Sequence, residues 1–383
     1  MGSVFICPLC GNKDEKYIGY KNGVPYCRRC ISFIGREAIE NYDISDDISI
    51  NIKYKLTKEQ RRISNEILNN FKNKKNQLVY AVCGAGKTEL VFEVIEYCFK
   101  NKLKVGFAVP RRDVVIELAK RFQSSYKNCN VIAVFGGNTT LIEADLICLT
   151  THQLYRYDKY FDLLILDEID AFPYNGDEVL YNFFKRSVKG NYVLMTATPT
   201  KELLEEYSNN EHNCLLTLFT RYHNKPIPIP EIKICPFLLF KLIFIIKKIK
   251  QYEKQNKPLL IFVPTIYTSK YLFNLIKKFS KHGYFINSHS NDRKGIIEKF
   301  RKGEYTYLVT TAVLERGVTI KNLQIIIFMA DNNIYNSSAL IQISGRAGRV
   351  INYTEGEVIF LGDKKTKAME ESIEIITNAN SHL

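Results

Sequence analysis

Residues 77–83 form a short apolar run that ends in Ala81-Val82-Cys83-Gly84-Ala85-Gly86-Lys87-Thr88, and an amphipathic stretch over 89–100 follows at once. Strand, glycine-bearing turn and helix in that order make a P-loop, and no other local pattern limits the fold as much. Gly84 and Gly86 let backbone N–H groups, that of Ala85 among them, close on phosphate at the positive end of the helix. Lys87 is expected on the β- and γ-phosphates of a nucleotide, and Thr88 on Mg²⁺ through its hydroxyl. Ala81 departs from the general pattern, which has glycine there; alanine is small enough to be tolerated.

The alternation of apolar run, polar turn and amphipathic stretch repeats along the chain. Runs at 105–109, 131–134, 146–149, 163–167 and 192–196 continue the first series, and 259–263, 307–311, 325–329 and 358–361 form a second. Continuous β-branched runs separated by helices predict parallel strands covered on both faces, hence two α/β domains in tandem. The length of 383 residues fits two or three domains at about 150 residues each. We place a small module at 1–50, a first domain at 51–230 and a second at 231–383. The joint falls near 208–232, where Arg221-Tyr222-His223 leads into a segment pinned by Pro226, Pro228 and Pro230.

Asp167 and Glu168 end the 163–167 run, so both carboxylates lie at the C-terminal edge of a strand. Asp167 is expected beside Mg²⁺, one layer out from its direct ligands, and Glu168 on the attacking water. Arg346 and Arg349 are three residues apart, on one face if the segment is helical, and small neighbours leave them free to reach a transferring γ-phosphate.

Four of the ten cysteines form Cys7-Pro8-Leu9-Cys10 and Cys27-Arg28-Arg29-Cys30. Two such turns complete a tetrahedral zinc shell, with Gly11 suiting the tight turn and Arg28 and Arg29 offsetting the thiolate charge. Tyr17, Tyr20, Tyr26 and Phe33 read as the small core of this ribbon, with base stacking the alternative. Cys83, Cys98, Cys129, Cys148, Cys214 and Cys235 read as small buried hydrophobes.

With 46% hydrophobic and 25% charged residues the chain is not disordered. The net charge is +14, and residues 231–383 carry 23 basic against 13 acidic side chains. That suits a polyanionic partner such as nucleic acid, although a lysine-rich proteome gives the same balance. The polar opening of the chain reads as no signal peptide and a cytoplasmic protein. The apolar stretch 236–246 is broken by Lys241 and too short for the ~20 residues of a membrane span. Over 238–250 the apolar residues nearly encircle the helix, so this segment is expected in the core of the second domain and not on a membrane surface.

The ordered set resembles a superfamily 2 helicase or translocase over 55–383. Leu56-Thr57-Lys58-Glu59-Gln60 looks like its adenine-reading element, Val109-Pro110-Arg111-Arg112 like motif Ia, and Thr150-Thr151-His152-Gln153 like motif Ib. Asp167-Glu168-Ile169-Asp170 looks like motif II, Thr196-Ala197-Thr198-Pro199 like motif III, and Leu260-Ile261-Phe262-Val263-Pro264 like motif IV. Thr310-Thr311 with Leu314-Glu315-Arg316-Gly317-Val318-Thr319 looks like motif V, and Gln342-Ile343-Ser344-Gly345-Arg346-Ala347-Gly348-Arg349 like motif VI. The cysteine ribbon, Arg221-Tyr222-His223 and the proline segment make the chain similar to the ComFA competence ATPases of low-GC Gram-positive bacteria.

The resemblance implies two RecA-like domains that bind ATP with Mg²⁺, contacts to nucleotide from Gln60, Gly317, Thr319 and Gln342, and zinc in the ribbon. It further implies single-stranded DNA as the track in natural transformation. The implied partners are a phosphoribosyltransferase-like competence protein and the uptake channel, at the inner face of the cytoplasmic membrane. The alternatives are an RNA helicase or remodeller, a replication-restart helicase like PriA, and a nucleotide-gated DNA-binding scaffold. His152, His223 and His289 are given no catalytic role.

Overall fold

A computed structural model describes residues 5–39, 42–52, 55–170, 176–208, 210–290, 292–311 and 319–383. The chain folds as two compact units: Met1–Ala81 with Gly86–Leu218, and Val82–Ala85 with Phe219–Leu383.

The first unit opens with a hairpin of β1 (Ile18–Lys21) and β2 (Val24–Cys27). A two-residue strand β3 (Ser49–Ile50) follows, then β4 (Asn76–Ala81), β5 (Val105–Val109) and β6 (Tyr126–Lys127), the last paired antiparallel with β3. The remaining strands are β7 (Val131–Val134), β8 (Leu146–Thr150), β9 (Phe161–Asp167), β10 (Val188–Thr196) and β11 (Asn213–Leu218). The main sheet is parallel throughout, in the order β11-β4-β10-β9-β5-β8-β7.

Three helices, α1 (Lys58–Lys72), α2 (Phe92–Lys100) and α3 (Arg112–Ser125), accompany its first strands. Helix α1 starts at a capping box, with Thr57 Oγ1 accepting from Gln60 N and Gln60 Oε1 accepting from Thr57 N, a device that stabilises a helix by about 1 kcal/mol. Phe107 of β5 meets Phe122 of α3 at 5.3 Å between ring centroids. Leu164, Leu166 and Leu194 point the other way. They pack on Leu180, Phe183 and Phe184 of α4 (Glu178–Ser187), a cluster joined by Tyr207 of α5 (Lys201–Ser208).

In the second unit the parallel order is β12 (Glu231–Ile234), β17 (Val358–Gly362), β16 (Gln324–Phe328), β13 (Leu259–Phe262), β15 (Tyr307–Thr310) and β14 (Gly283–Ile286). The period-2 alternation of strands divides its core in two. Leu260, Phe262, Ile325, Ile327 and Phe360 face Phe300, Leu340 and Met369, which belong to α8 (Arg293–Arg301), α9 (Ser337–Ser344) and α10 (Lys367–Asn380). Leu259, Ile261, Ile326 and Ile359 face Ile245 and Ile249 of α6 (Leu238–Lys254) and Leu272 of α7 (Ile266–Ile276). Both domains are thus α/β with parallel sheets, as the alternation predicts.

Several expectations need correction. Helix α6 is buried along Lys241, Ile245, Ile249 and Tyr252 only, whereas Leu239 is 64% and Phe240 56% exposed. Lys241 is inside because its ammonium pairs with Asp363, so the apolar ring around this helix does not mean burial all round. The P-loop helix is not continuous from 89: Lys87–Val91 is a 3-10 turn, and α2 begins at Phe92. Cys83, Cys98, Cys129 and Cys148 are buried as expected, while Cys214 and Cys235 are half-buried. Among the described residues no helix is long and apolar enough to cross a membrane.

Candidate functional site

Gly84 and Gly86 take φ of +85° and +77°, the left-handed region that a β-carbon disfavours. A β-carbon on Gly86 would stand 2.6 Å from Gln60 Nε2, so the amide of Gln60 lies directly against the turn. Ala85 is buried, and its N–H donates to Val82 O at 3.1 Å. Lys87 Nζ donates to Ala81 O at 3.2 Å, which folds the ammonium back over the turn, and Thr88 follows in the 3-10 segment. A glycine-bent turn with a back-folded lysine fits a polyphosphate.

Asp167 closes β9, one strand removed from β4 because β10 runs between them. Burial pushes the Asp167 carboxyl up to about 6; the Lys87 ammonium opposes the rise and the Glu168 carboxylate adds to it. Lys87 and Asp167 therefore share one electrostatic environment, the setting for a metal–phosphate pair. Glu168 holds φ of +61°, a conformation that costs a non-glycine residue of the order of 1 kcal/mol. Its N–H is fixed to Asp167 Oδ1 at 2.8 Å and Met195 O at 3.0 Å. Thr196 Oγ1 and Thr198 Oγ1 both donate to the Asp170 carboxylate, at 2.7 and 2.9 Å, and tie the third motif to the second.

In the second unit Gln342 is buried on α9, and Arg346 and Arg349 lie beyond the helix end in a turn, not on a helical face. Nor is either arginine extended and free. Arg346 is 3% exposed, and Arg349 Nε donates to Gly345 O at 2.7 Å. Thr319 is exposed, and Gly317 lies outside the described residues. Arg221 is 1% exposed. Its guanidinium donates to the carbonyls of Cys83, Gly345, Ala347 and Gly348 at 2.9–3.2 Å.

Cys7, Cys10, Cys27 and Cys30 are buried with their sulfurs all within 4.8 Å of one another. Cys7 and Cys30 are 3.5 Å apart and Cys10 and Cys27 3.6 Å, far too long for a disulfide. A zinc ion with Zn–S near 2.3 Å sets sulfurs about 3.8 Å apart, so the donor set fits the metal. Burial pushes the Cys10 thiol up to about 11 and that of Cys30 further, so thiolates there call for a cation. Gly11, at φ +68°, makes the expected turn.

The aromatic expectation was half right. Tyr26 packs over Gly19, but Tyr20 is 70% exposed, and Phe33 leaves the ribbon to meet Phe183 at 4.9 Å and Tyr155 at 5.6 Å. Arg29 pairs with Glu178 at 2.8 Å, and Asn182 Nδ2 donates to Cys10 O at 2.7 Å. The cysteine module is thereby docked on α4.

Residues 53–201 match the model of the type III restriction enzyme res subunit, and 241–351 that of the helicase conserved C-terminal domain. The chain is 33% identical to competence protein ComFA of Bacillus subtilis, over 98% of its own length and 85% of that protein's. To ComFA of Streptococcus pneumoniae it is 34% identical, over 99% and 91%. Among solved structures, S. cerevisiae Dbp5 bound to RNA and ADP BeF3 aligns with a TM-score of 0.62 at 18% identity, covering 86% of this chain and 88% of that one. At that identity the likeness is one of fold.

Proposed function

The chain belongs to the ComFA family of competence proteins, and from that premise we propose that it is an ATP-driven motor of helicase superfamily 2 that moves along single-stranded DNA in transformation. The observation that carries the ATPase reading is the glycine-bent turn at 84–86 with Lys87 folded back over it, in a parallel sheet whose central strand β9 ends in Asp167. The net charge of +14, concentrated in residues 231–383, supports a nucleic-acid track held by backbone contacts.

In this reading residues 1–50 are a metal-binding module, 51–230 the ATP-binding domain and 231–383 its partner domain. Gly84, Ala85 and Gly86 close backbone N–H groups on the phosphates, and Lys87 binds the β- and γ-oxygens. Gln60 faces the base, and Gly317, Thr319 and Gln342 add nucleotide contacts. Thr88 and Asp167 would hold Mg²⁺, which when bound offsets charge between the phosphates. Glu168, its backbone locked by two hydrogen bonds, orients the attacking water and takes its proton. Arg346 and Arg349 stabilise charge on the γ-phosphate. Zinc on Cys7, Cys10, Cys27 and Cys30 is structural, since all four positions are filled. A phosphoribosyltransferase-like competence protein and the uptake channel, at the inner face of the cytoplasmic membrane, are the proposed partners.

The test is steady-state ATP hydrolysis with no polymer, single-stranded DNA, duplex DNA and single-stranded RNA. Single-stranded DNA should stimulate most, and preference for RNA would overturn the track. Lys87→Ala and Glu168→Gln should each lose at least about 100-fold in turnover while DNA binding persists. Normal turnover in either would sink the site assignment.

A further inference from the structure

Arg221, Tyr222 and His223 are consecutive, and all three side chains end on backbone carbonyls of one short loop. Arg221 Nη2 donates to Gly345 O at 3.0 Å, and Nη1 to Ala347 O and Gly348 O at 2.9 Å each. Tyr222 Oη donates to Arg349 O at 2.6 Å. His223 Nε2 lies 3.0 Å from Gly348 O, and Nδ1 accepts from Lys225 N at 3.2 Å, which leaves the ring proton on Nε2 as the donor. Four of the five carbonyls at 345–349 are engaged by this triplet.

We propose that Arg221-Tyr222-His223 is a clasp that presets the 345–349 loop, so that its three members are positioning residues for Arg346 and Arg349. This rests on the reading of those two arginines as γ-phosphate ligands. The fourth bond of the Arg221 guanidinium, to Cys83 O at 3.2 Å, ties the same side chain to the tip of the P-loop, which groups with the second unit.

Arg221 is not itself a phosphate ligand. It is buried, and four of its N–H···O contacts go to carbonyls. Among the described residues no carboxylate lies within ion-pair distance of it. Burial, with repulsion from Arg349, lowers its pKa to about 10, so the side chain stays charged at neutral pH. A charge buried on carbonyl dipoles alone is expensive, and an apolar side chain would leave four acceptors unpaired. A lysine would bring the charge without the planar fork that reaches several carbonyls at once.

The loop has little slack. A β-carbon on Gly345 would meet Cys83 Cβ at 2.4 Å, and one on Gly348, already at φ +65°, would meet Thr354 O at 2.2 Å. Arg349 is joined to the clasp directly, because its Nε shares the Gly345 carbonyl with Arg221 Nη2. Displacing that carbonyl re-aims the Arg349 guanidinium.

The experiment combines DNA-stimulated ATP hydrolysis with hydrogen exchange of the 345–350 amides. Arg221→Lys should lower kcat at least about tenfold with KM for ATP within about twofold, and accelerate exchange in the loop. Tyr222→Phe loses one hydrogen bond at a partly exposed position, leaves the chain folded, and should lower kcat about three- to tenfold. In an Arg349→Ala background Arg221→Lys should change kcat by less than about twofold, because its effect runs through the Gly345 carbonyl that the two arginines share. A kcat within twofold of the parent in both single variants would overturn the clasp. So would a raised KM at constant kcat, or full additivity with Arg349→Ala. If the parent hydrolyses no ATP, the nucleotide reading fails by itself. The clasp is then decided by exchange: unchanged loop protection in Arg221→Lys overturns it.

Discussion

At the scale of single residues, the site depends on the hydroxyl of Thr196 and on the bare α-carbon of Gly86. Thr196 Oγ1 donates to Asp170 at 2.7 Å and also accepts from Thr198 N at 3.0 Å. Thr196→Val leaves a charged acceptor short of a partner and should cost about 1.5–3 kcal/mol in urea unfolding, with turnover reduced. Thr196→Ser keeps the donor and should stay within about 1 kcal/mol of the parent. Gly86→Ala places a β-carbon against Gln60 Nε2 at a left-handed φ, and should abolish ATP binding in a fluorescent-nucleotide titration while the chain still folds. These residues were legible in the sequence because a P-loop and an acidic strand end are local, with fixed spacing. Arg221 was visible only as part of a family signature. Its acceptors are main-chain carbonyls 124 to 138 residues away, and a carbonyl leaves no mark in a sequence.

At the scale of elements, the strands of the two parallel sheets that sequence reading missed were β11, β12 and β14, all of them sheet edges, whereas the edge strand β7 was found. An apolar-run criterion finds strands buried on both faces, whereas Glu231-Ile232-Lys233-Ile234 is half polar because one side of β12 has no neighbouring strand. Helix α6 misled for the opposite reason, since apolar composition says nothing of which turns are covered. The docking of the cysteine module is a second element-level feature. His152 stacks on Phe33 at 6.3 Å, and burial lowers its pKa below the ordinary 6.5, against the pull of Asp177. The unfolded chain therefore binds that proton more readily. Stability should rise with pH up to about 6.5 and be lost as pH falls from 6.5 toward the folded value. His152→Phe should remove this part of the pH dependence, read from urea unfolding at a series of pH values from mildly acidic to neutral. An unaltered profile would show that His152 does not set it.

At the scale of the whole molecule, the charge of +14 makes strand binding a counterion-release process. Affinity for single-stranded DNA should fall steeply and linearly on a log–log plot against salt, with little dependence on base sequence, in fluorescence anisotropy. A flat salt response would point to base readout. The four cysteines have a wider consequence, because they do not sit in a lobe of their own. They share one hydrophobic cluster with Leu164 and Leu166, the strand residues just ahead of Asp167. On the proposed roles of zinc and of the two carboxylates, a cell starved of zinc would lose more than an accessory: the floor beneath Asp167 and Glu168 would soften as the ribbon came apart. DNA uptake would fail through trace-metal nutrition, with no change in the level of ATP.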